Sequence, residues 1–167
     1  MTYTFRIAGA GDMPEVYQLL KTVFRPTYGA ILTEEQMTWM LDNIFSEAAL
    51  CRQQAEPNFQ FILLYQDAVL SGFSAIECDY DGQKLCCKMH KLYLSSNTQG
   101  LGLGRMLVTE TEEQARVLGQ QQLILNVNRY NKARHFYEKM GFEVLYEEDI
   151  PLENGYFMND FVMGKKL

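Results

Sequence analysis

Residues 92–104 read LYLSSNTQGLGLG: a short apolar run, then a turn with glycine at positions 100, 102 and 104. The helix-forming run RMLVTETEEQARVLG follows directly, over residues 105–119. Glycines let a backbone approach a ligand closely, and the start of a helix presents N–H groups that have no partner within the helix. Strand, glycine turn and helix together predict a site for a phosphate or pyrophosphate.

Two familiar phosphate loops do not fit. A P-loop needs Lys-Ser or Lys-Thr after its last glycine, and here Arg105-Met106 follows Gly104. A dinucleotide fingerprint needs GxGxxG after the first strand; this spacing is GxGxG and it falls late in the chain.

On either side of the loop the pattern alternates between strand and helix. TYTFRIA (2–8) sets Tyr3, Phe5 and Ile7 against Thr4 and Arg6, as a strand with one apolar face would. Asp12 with Glu15 reads as a capping box opening a helix to about Phe24, with Pro14 tolerated in its first turn. Thr33 with Gln36 opens a second helix and Ser46 a third that ends near Gln54.

From Phe59 the texture is that of strands: FQFILLY (59–65), AVLSGFSAIEC (68–78) and KLCCKMHKLYL (84–94). Gln66-Asp67 separates the first two, and Asp81-Gly82 predicts a tight turn between the others. Gly119 and Gly141 mark helix ends, QLILNVN (122–128) is a buried strand, and FEVLYEEDI and GYFMNDFVMGKKL close the chain as strands. The order βααα-βββ-α-β-α-ββ predicts an α/β domain with a mixed sheet.

Composition narrows the function classes. At 167 residues, 47% hydrophobic and 22% charged, the chain suits one globular domain spanning 1–167. A net charge of −6 with no basic stripe argues against nucleic acid as partner. No apolar run approaches membrane-spanning length and the start does not read as a signal peptide, so a cytoplasmic location with no membrane partner is expected. Cys51, Cys78, Cys86 and Cys87 form no CxxC pair, and only His90 and His135 accompany them. No metal site is therefore expected, and the cysteines read as buried apolar thiols, Cys86 and Cys87 on opposite strand faces.

The motif Gln99-Gly100-Leu101-Gly102-Leu103-Gly104 resembles the Q/R-x-x-G-x-G/A signature of the GNAT acyl-CoA-dependent N-acetyltransferases. NKARHFYEKMGF (131–142) resembles that family's second signature, and the likeness in spacing and strand order extends over essentially the whole chain. The resemblance implies the GNAT fold, a mixed and mostly antiparallel sheet of about seven strands flanked by helices. It also implies acetyl-CoA as co-substrate and direct transfer to an amine. The backbone from Gln99 to Arg105 would cradle the pyrophosphate, Leu92 and Leu94 would line the pantetheine arm, Asn131 would hydrogen-bond it and Phe136 would pack beside it. Tyr137 matches the tyrosine that faces the thioester sulfur as general acid.

The acceptor side is less constrained. Glu77 or His90 is the candidate general base, while His135 is expected at the surface. Tyr28, Ile31 and Trp39 are candidate acceptor contacts. YGAILTEEQMTWML and KMHKLYL resemble polyamine N-acetyltransferases, and Glu34, Glu35, Asp42 and Glu47 would attract such a cation. The expected acceptor is thus a small cationic amine. An acyl-CoA-binding regulatory module without catalysis and a protein or peptide N-terminal acetyltransferase are the alternatives. The last strand, with Tyr156, Phe157, Phe161 and Val162, is the expected surface for homodimer pairing.

Overall fold

The expected alternation of strand and helix is realised around a single mixed sheet. A computed structural model of the protein describes residues 1–98 and 100–167. Its strands are β1 (Tyr3–Ile7), β2 (Phe59–Gln66), β3 (Val69–Glu77), β4 (Cys86–Leu94), β5 (Gln122–Asn128), β6 (Glu143–Pro151) and β7 (Phe157–Lys166). The helices are α1 (Met13–Tyr28), α2 (Glu34–Asn43), α3 (Glu47–Ala55), α4 (Leu103–Val117) and α5 (Ala133–Lys139). Strand order is β1-β2-β3-β4-β5-β7-β6. Neighbours are antiparallel except β4 and β5, which run parallel.

Two apolar layers cover the sheet. Val16, Leu20, Phe24, Met40 and Leu50 of α1–α3 pack on Phe61, Leu63, Phe73 and Tyr93. On the other face Leu103, Leu107 and Val108 of α4 join Ile62, Ile76, Met89 and Leu125. Within that second layer the Ser74 hydroxyl meets Thr111 Oγ1 at 2.7 Å, satisfying two buried polar groups at once.

Two irregularities shape the site. Opposite β3, Ile76 pairs with Met89 and Ala75 with Lys91, so His90 is the extra residue of a β-bulge. One inserted residue reverses the side-chain phase. Cys87 and Met89 face α4 before the bulge, and Leu92 and Leu94 face it afterwards, which turns Tyr93 to the opposite layer. The β4–β5 ladder pairs Cys86 with Gln122 through Met89 with Leu125. Beyond those residues the two strands part, and the gap between them opens the cleft.

Several sequence expectations change. Asp12 does not cap α1: its carboxylate accepts from Arg6 at 2.8 and 2.9 Å and from the Gly9 N–H at 2.7 Å, while Glu15 accepts from Tyr65. The arginine out-competes the helix end for the same oxygens. Helix α1 continues past Pro26, a turn beyond Phe24, and so delivers Thr27 and Tyr28 to the cleft. The β3–β4 connection is a longer excursion over residues 78–85, with positive φ at Asp79, Asp81 and Leu85. Cys51 is exposed and Cys78 half-buried, whereas Cys86 and Cys87 are buried. From Asp160 to Gly164 the last strand has β5 on one edge and β6 on the other, so Phe161 and Val162 leave no edge there for a strand from a second copy. Among the described strands, β1 and β6 are the sheet edges, and β6 carries Glu147, Glu148 and Asp149 along its length.

Candidate active site

The parting of β4 from β5 leaves a continuous cleft of about 790 Å³. One end is built by the glycine turn. Gly100 and Gly102 take φ of 79° and 74°, a left-handed backbone that other residues adopt at a cost. Gly102 is the N-cap of α4, so the first-turn N–H groups of Leu103, Gly104 and Arg105 lie at the loop. A Cβ on Gly104 would sit 3.4 Å from both Leu94 and Phe136 side-chain atoms. Its absence lets the helix start close against β4 and α5.

Of the residues expected to hold a cofactor, Leu92, Leu94, Gly100, Gly102, Leu103, Gly104, Arg105, Asn131 and Phe136 line this cleft together with Tyr137. Leu101 is 42% exposed and is not part of the lining. Gln99 lies outside the described residues. Asn131 also shapes the entry to α5, where its Oδ1 accepts from the Ala133 N–H at 2.9 Å.

Tyr137 is held by edge-on contacts with Phe136 and Phe142, at centroid distances of 5.3 and 5.8 Å. Burial, with Tyr28 nearby, raises its phenol above the usual range, so it keeps its proton at neutral pH. Across the cleft the Tyr28 and Tyr93 hydroxyls stand 3.4 Å apart, and burial raises both phenols.

The sequence candidates for the base form a pair. His90 Nε2 lies 2.7 Å from Glu77 Oε2, and the ring is stacked on Phe59 at 5.1 Å with Tyr80 edge-on at 5.5 Å. Burial first, then the Lys88 and Lys91 charges, lower its pKa to about 3. The Glu77 carboxylate pulls the other way, but a neutral ring makes the same hydrogen bond by donating from Nε2, so burial prevails. Only His90 of the two lines the cleft; Glu77 is taken up by His90 and the Asn58 amide. His135 is exposed beside Glu138.

Of the residues expected to contact an acceptor, Tyr28 lines the cleft, while Ile31 and Trp39 do not. Trp39 instead packs 5.9 Å from Tyr156. Leu32, Met40 and Phe45 line the cleft, as do Phe157 and Met158. Glu34, Glu35, Asp42 and Glu47 are exposed on outer helix surfaces, and Glu34 pairs with Arg25 at 2.7 Å. Two groups that sequence reasoning missed also line the cleft. Lys91 donates to Gln53 at 2.7 Å, and its burial lowers its pKa to about 8. Asp160, on β7, accepts from Asn126 at 3.2 Å. A carboxylate within the apolar run FMNDFVM was the available signal for it. Among the described residues no three His, Cys, Asp or Glu side chains converge as metal ligands, and no helix is long and apolar enough to cross a membrane.

The family model for the acetyltransferase (GNAT) domain matches residues 30–159, from the approach to α2 into β7. The chain belongs to the GNAT acetyltransferase family. This acetyltransferase is 26% identical over 162 residues to an uncharacterised N-acetyltransferase in the pepI 3′ region of Lactobacillus delbrueckii subsp. lactis, covering 93% of this chain and 92% of that one. Its fold is similar to the PaiA N-acetyltransferase of Thermoplasma acidophilum, solved in complex with coenzyme A, with a TM-score of 0.82, 23% identity and both chains covered in full. It is also similar to yncA of Salmonella typhimurium, solved with its cofactor acetyl-CoA, with a TM-score of 0.67, 17% identity and coverage of 100% and 95%. The acetyltransferase thus has the seven-stranded mixed sheet expected of this family.

Proposed function

We propose that this acetyltransferase moves an acetyl group from acetyl-CoA directly to a small primary amine bound between α1, α2 and β7. The observation that carries the reading is one cleft joining the glycine turn to the Tyr137 phenol along the parted edge of β4. The first-turn N–H groups of α4 and the Gly100–Arg105 backbone match a pyrophosphate in charge and direction. Leu92, Leu94 and Phe136 offer an apolar track for the pantetheine arm, with the Asn131 amide beside it. Structures of the same fold that bind coenzyme A or acetyl-CoA support the choice of donor.

The residues divide the chemistry between them. The unpaired backbone of β4 beyond Met89 supplies N–H donors for the oxygen on which charge develops. Tyr137 holds a proton to give to the departing sulfur. Of Glu77 and His90, His90 is the one that lines the cleft, and its hydrogen bond to Glu77 holds the neutral ring at the cleft wall. The acceptor lobe presents one carboxylate and one lysine among its described lining residues, which matches a single charged amine better than a long polycation.

Titration calorimetry with acetyl-CoA, followed by a thiol-release assay over spermidine, simple monoamines, aminoglycosides and short peptides, tests this reading. Release of thiol with small amines supports it. Binding of acetyl-CoA without release for any amine would identify an acyl-CoA-binding module, and release with peptides alone would identify a peptide acetyltransferase.

A further inference from the structure

Among the described residues that line the cleft, Asp160 is the one acidic side chain. It sits on β7 between Asn128 of β5 and Glu148 of β6, and only 5% of the residue is exposed. Its hydrogen bond comes from an uncharged group, the Asn126 amide at 3.2 Å, which also reaches Glu148 at 3.2 Å. The nearest cations are committed elsewhere. Lys88 donates to the Tyr80 hydroxyl at 3.1 Å, and Arg129 pairs with Glu147 and Asp149. A carboxylate buried without a cation is costly unless a ligand supplies one. On its open side stands Tyr28 from α1, close enough to sense Asp160 and Tyr137 alike.

We propose that Asp160 binds the attacking amine of the acceptor as its ammonium and removes a proton from it. The inference rests on the acetyl-CoA–amine reading of the cleft. An N–H bond of the ammonium breaks, the proton passes to an Asp160 oxygen, and the electron pair stays on nitrogen. Nitrogen then bonds to the thioester carbonyl carbon, the C–S bond breaks, and sulfur takes the Tyr137 proton. The second proton leaving nitrogen restores the tyrosine, and Asp160 returns its proton to water. One proton is released per turnover, as amide formation from an ammonium requires.

The surroundings favour this role. Burial raises the Asp160 pKa above the ordinary carboxylate range, with Glu148 adding to the rise and Asn126, Lys88 and Arg129 opposing it. A raised carboxylate is a better proton acceptor for an amine. His90 is already engaged with Glu77, and Lys91 is a cation itself.

The test uses the primary amine that turns over best and its analogue with two fluorines beside the amine, which is far less basic. In Asp160→Asn, kcat/KM for the parent amine falls about 100-fold or more, while the fluorinated amine, which needs little help to lose its proton, falls about tenfold less. Calorimetry confirms that acetyl-CoA still binds the variant. The wild type supplies a readout that needs no variant: the acid limb of kcat/KM against pH is pronounced for the parent amine and reduced for the analogue. Equal losses for both amines, or acid limbs of the same depth, overturn the proposal and leave acetyl transfer standing. No thiol release by the wild type overturns the acetyl-transfer reading and this inference with it.

Discussion

His90 donates its Nε2 proton to Glu77 across 2.7 Å, and the bulge that makes His90 an extra residue in β4 is what turns its ring to that partner. The pair ties β3 to β4 where the sheet begins to open. Because the folded pKa of about 3 lies below the usual histidine value of 6.5, the unfolded chain binds more protons between those pH values. The stability associated with a neutral His90 is present above pH 6.5 and is lost as pH falls toward 3, at up to about 1.4 kcal/mol per pH unit. Urea unfolding of wild type and His90→Gln at several pH values checks this. The variant shows a shallower decline between pH 6.5 and 4, and parallel curves would contradict the assignment.

In the proposed reaction Tyr137 gives its proton to the leaving sulfur. Tyr137→Phe keeps the ring contacts with Phe136 and Phe142 but removes the proton, so kcat falls about 10²–10⁴-fold while Tm and acetyl-CoA binding change little. Unchanged turnover at saturating acetyl-CoA would remove the acid role.

Gly102 tests the phosphate turn. No atom lies within 4 Å of a Cβ built there, so the cost of Gly102→Ala is conformational, about 1–2 kcal/mol for a left-handed residue. That strain is relieved by moving the N–H groups that start α4. The expected result is a raised KM for acetyl-CoA with kcat nearly preserved. An equal KM in steady-state kinetics would show that the loop does not hold the donor.

Away from the cleft, Lys165 donates to Glu112 and to the Met140 carbonyl, both at 2.7 Å, joining β7, α4 and the end of α5. Glu112 is buried. Glu112→Ala leaves the lysine without its counter-charge in a largely buried place, and denaturant titration reads a loss of about 3 kcal/mol. The Tyr137 environment shares that helix end, so stability and activity fall together.

The glycine turn was legible in the sequence because its chemistry is local: glycine freedom, a helix start and spacing are all read along the chain. The helix ends at Gly119 and Gly141 were legible for the same reason, each a positive-φ residue after its helix. Asp12 was misleading because its partner Arg6 comes from the preceding strand, a competition that a capping pattern does not contain. The His90 bulge exists only in the register between β3 and β4, so no pattern within KMHKLYL announces it. Asp160 and Lys91 became cleft-lining residues through the parting of β4 and β5 and the run of α1 past Pro26, both of which depend on packing between distant segments.

Transfer from acetyl-CoA to an amine at this cleft has a simple stoichiometric check. The enzyme is incubated with acetyl-CoA and its best primary amine, and free thiol and N-acetylated amine are quantified together. Equal amounts of the two products are expected, formed only when both substrates are present and suppressed in Tyr137→Phe. Thiol release without N-acetylated product, or none with any primary amine despite acetyl-CoA binding, would contradict acetyl transfer.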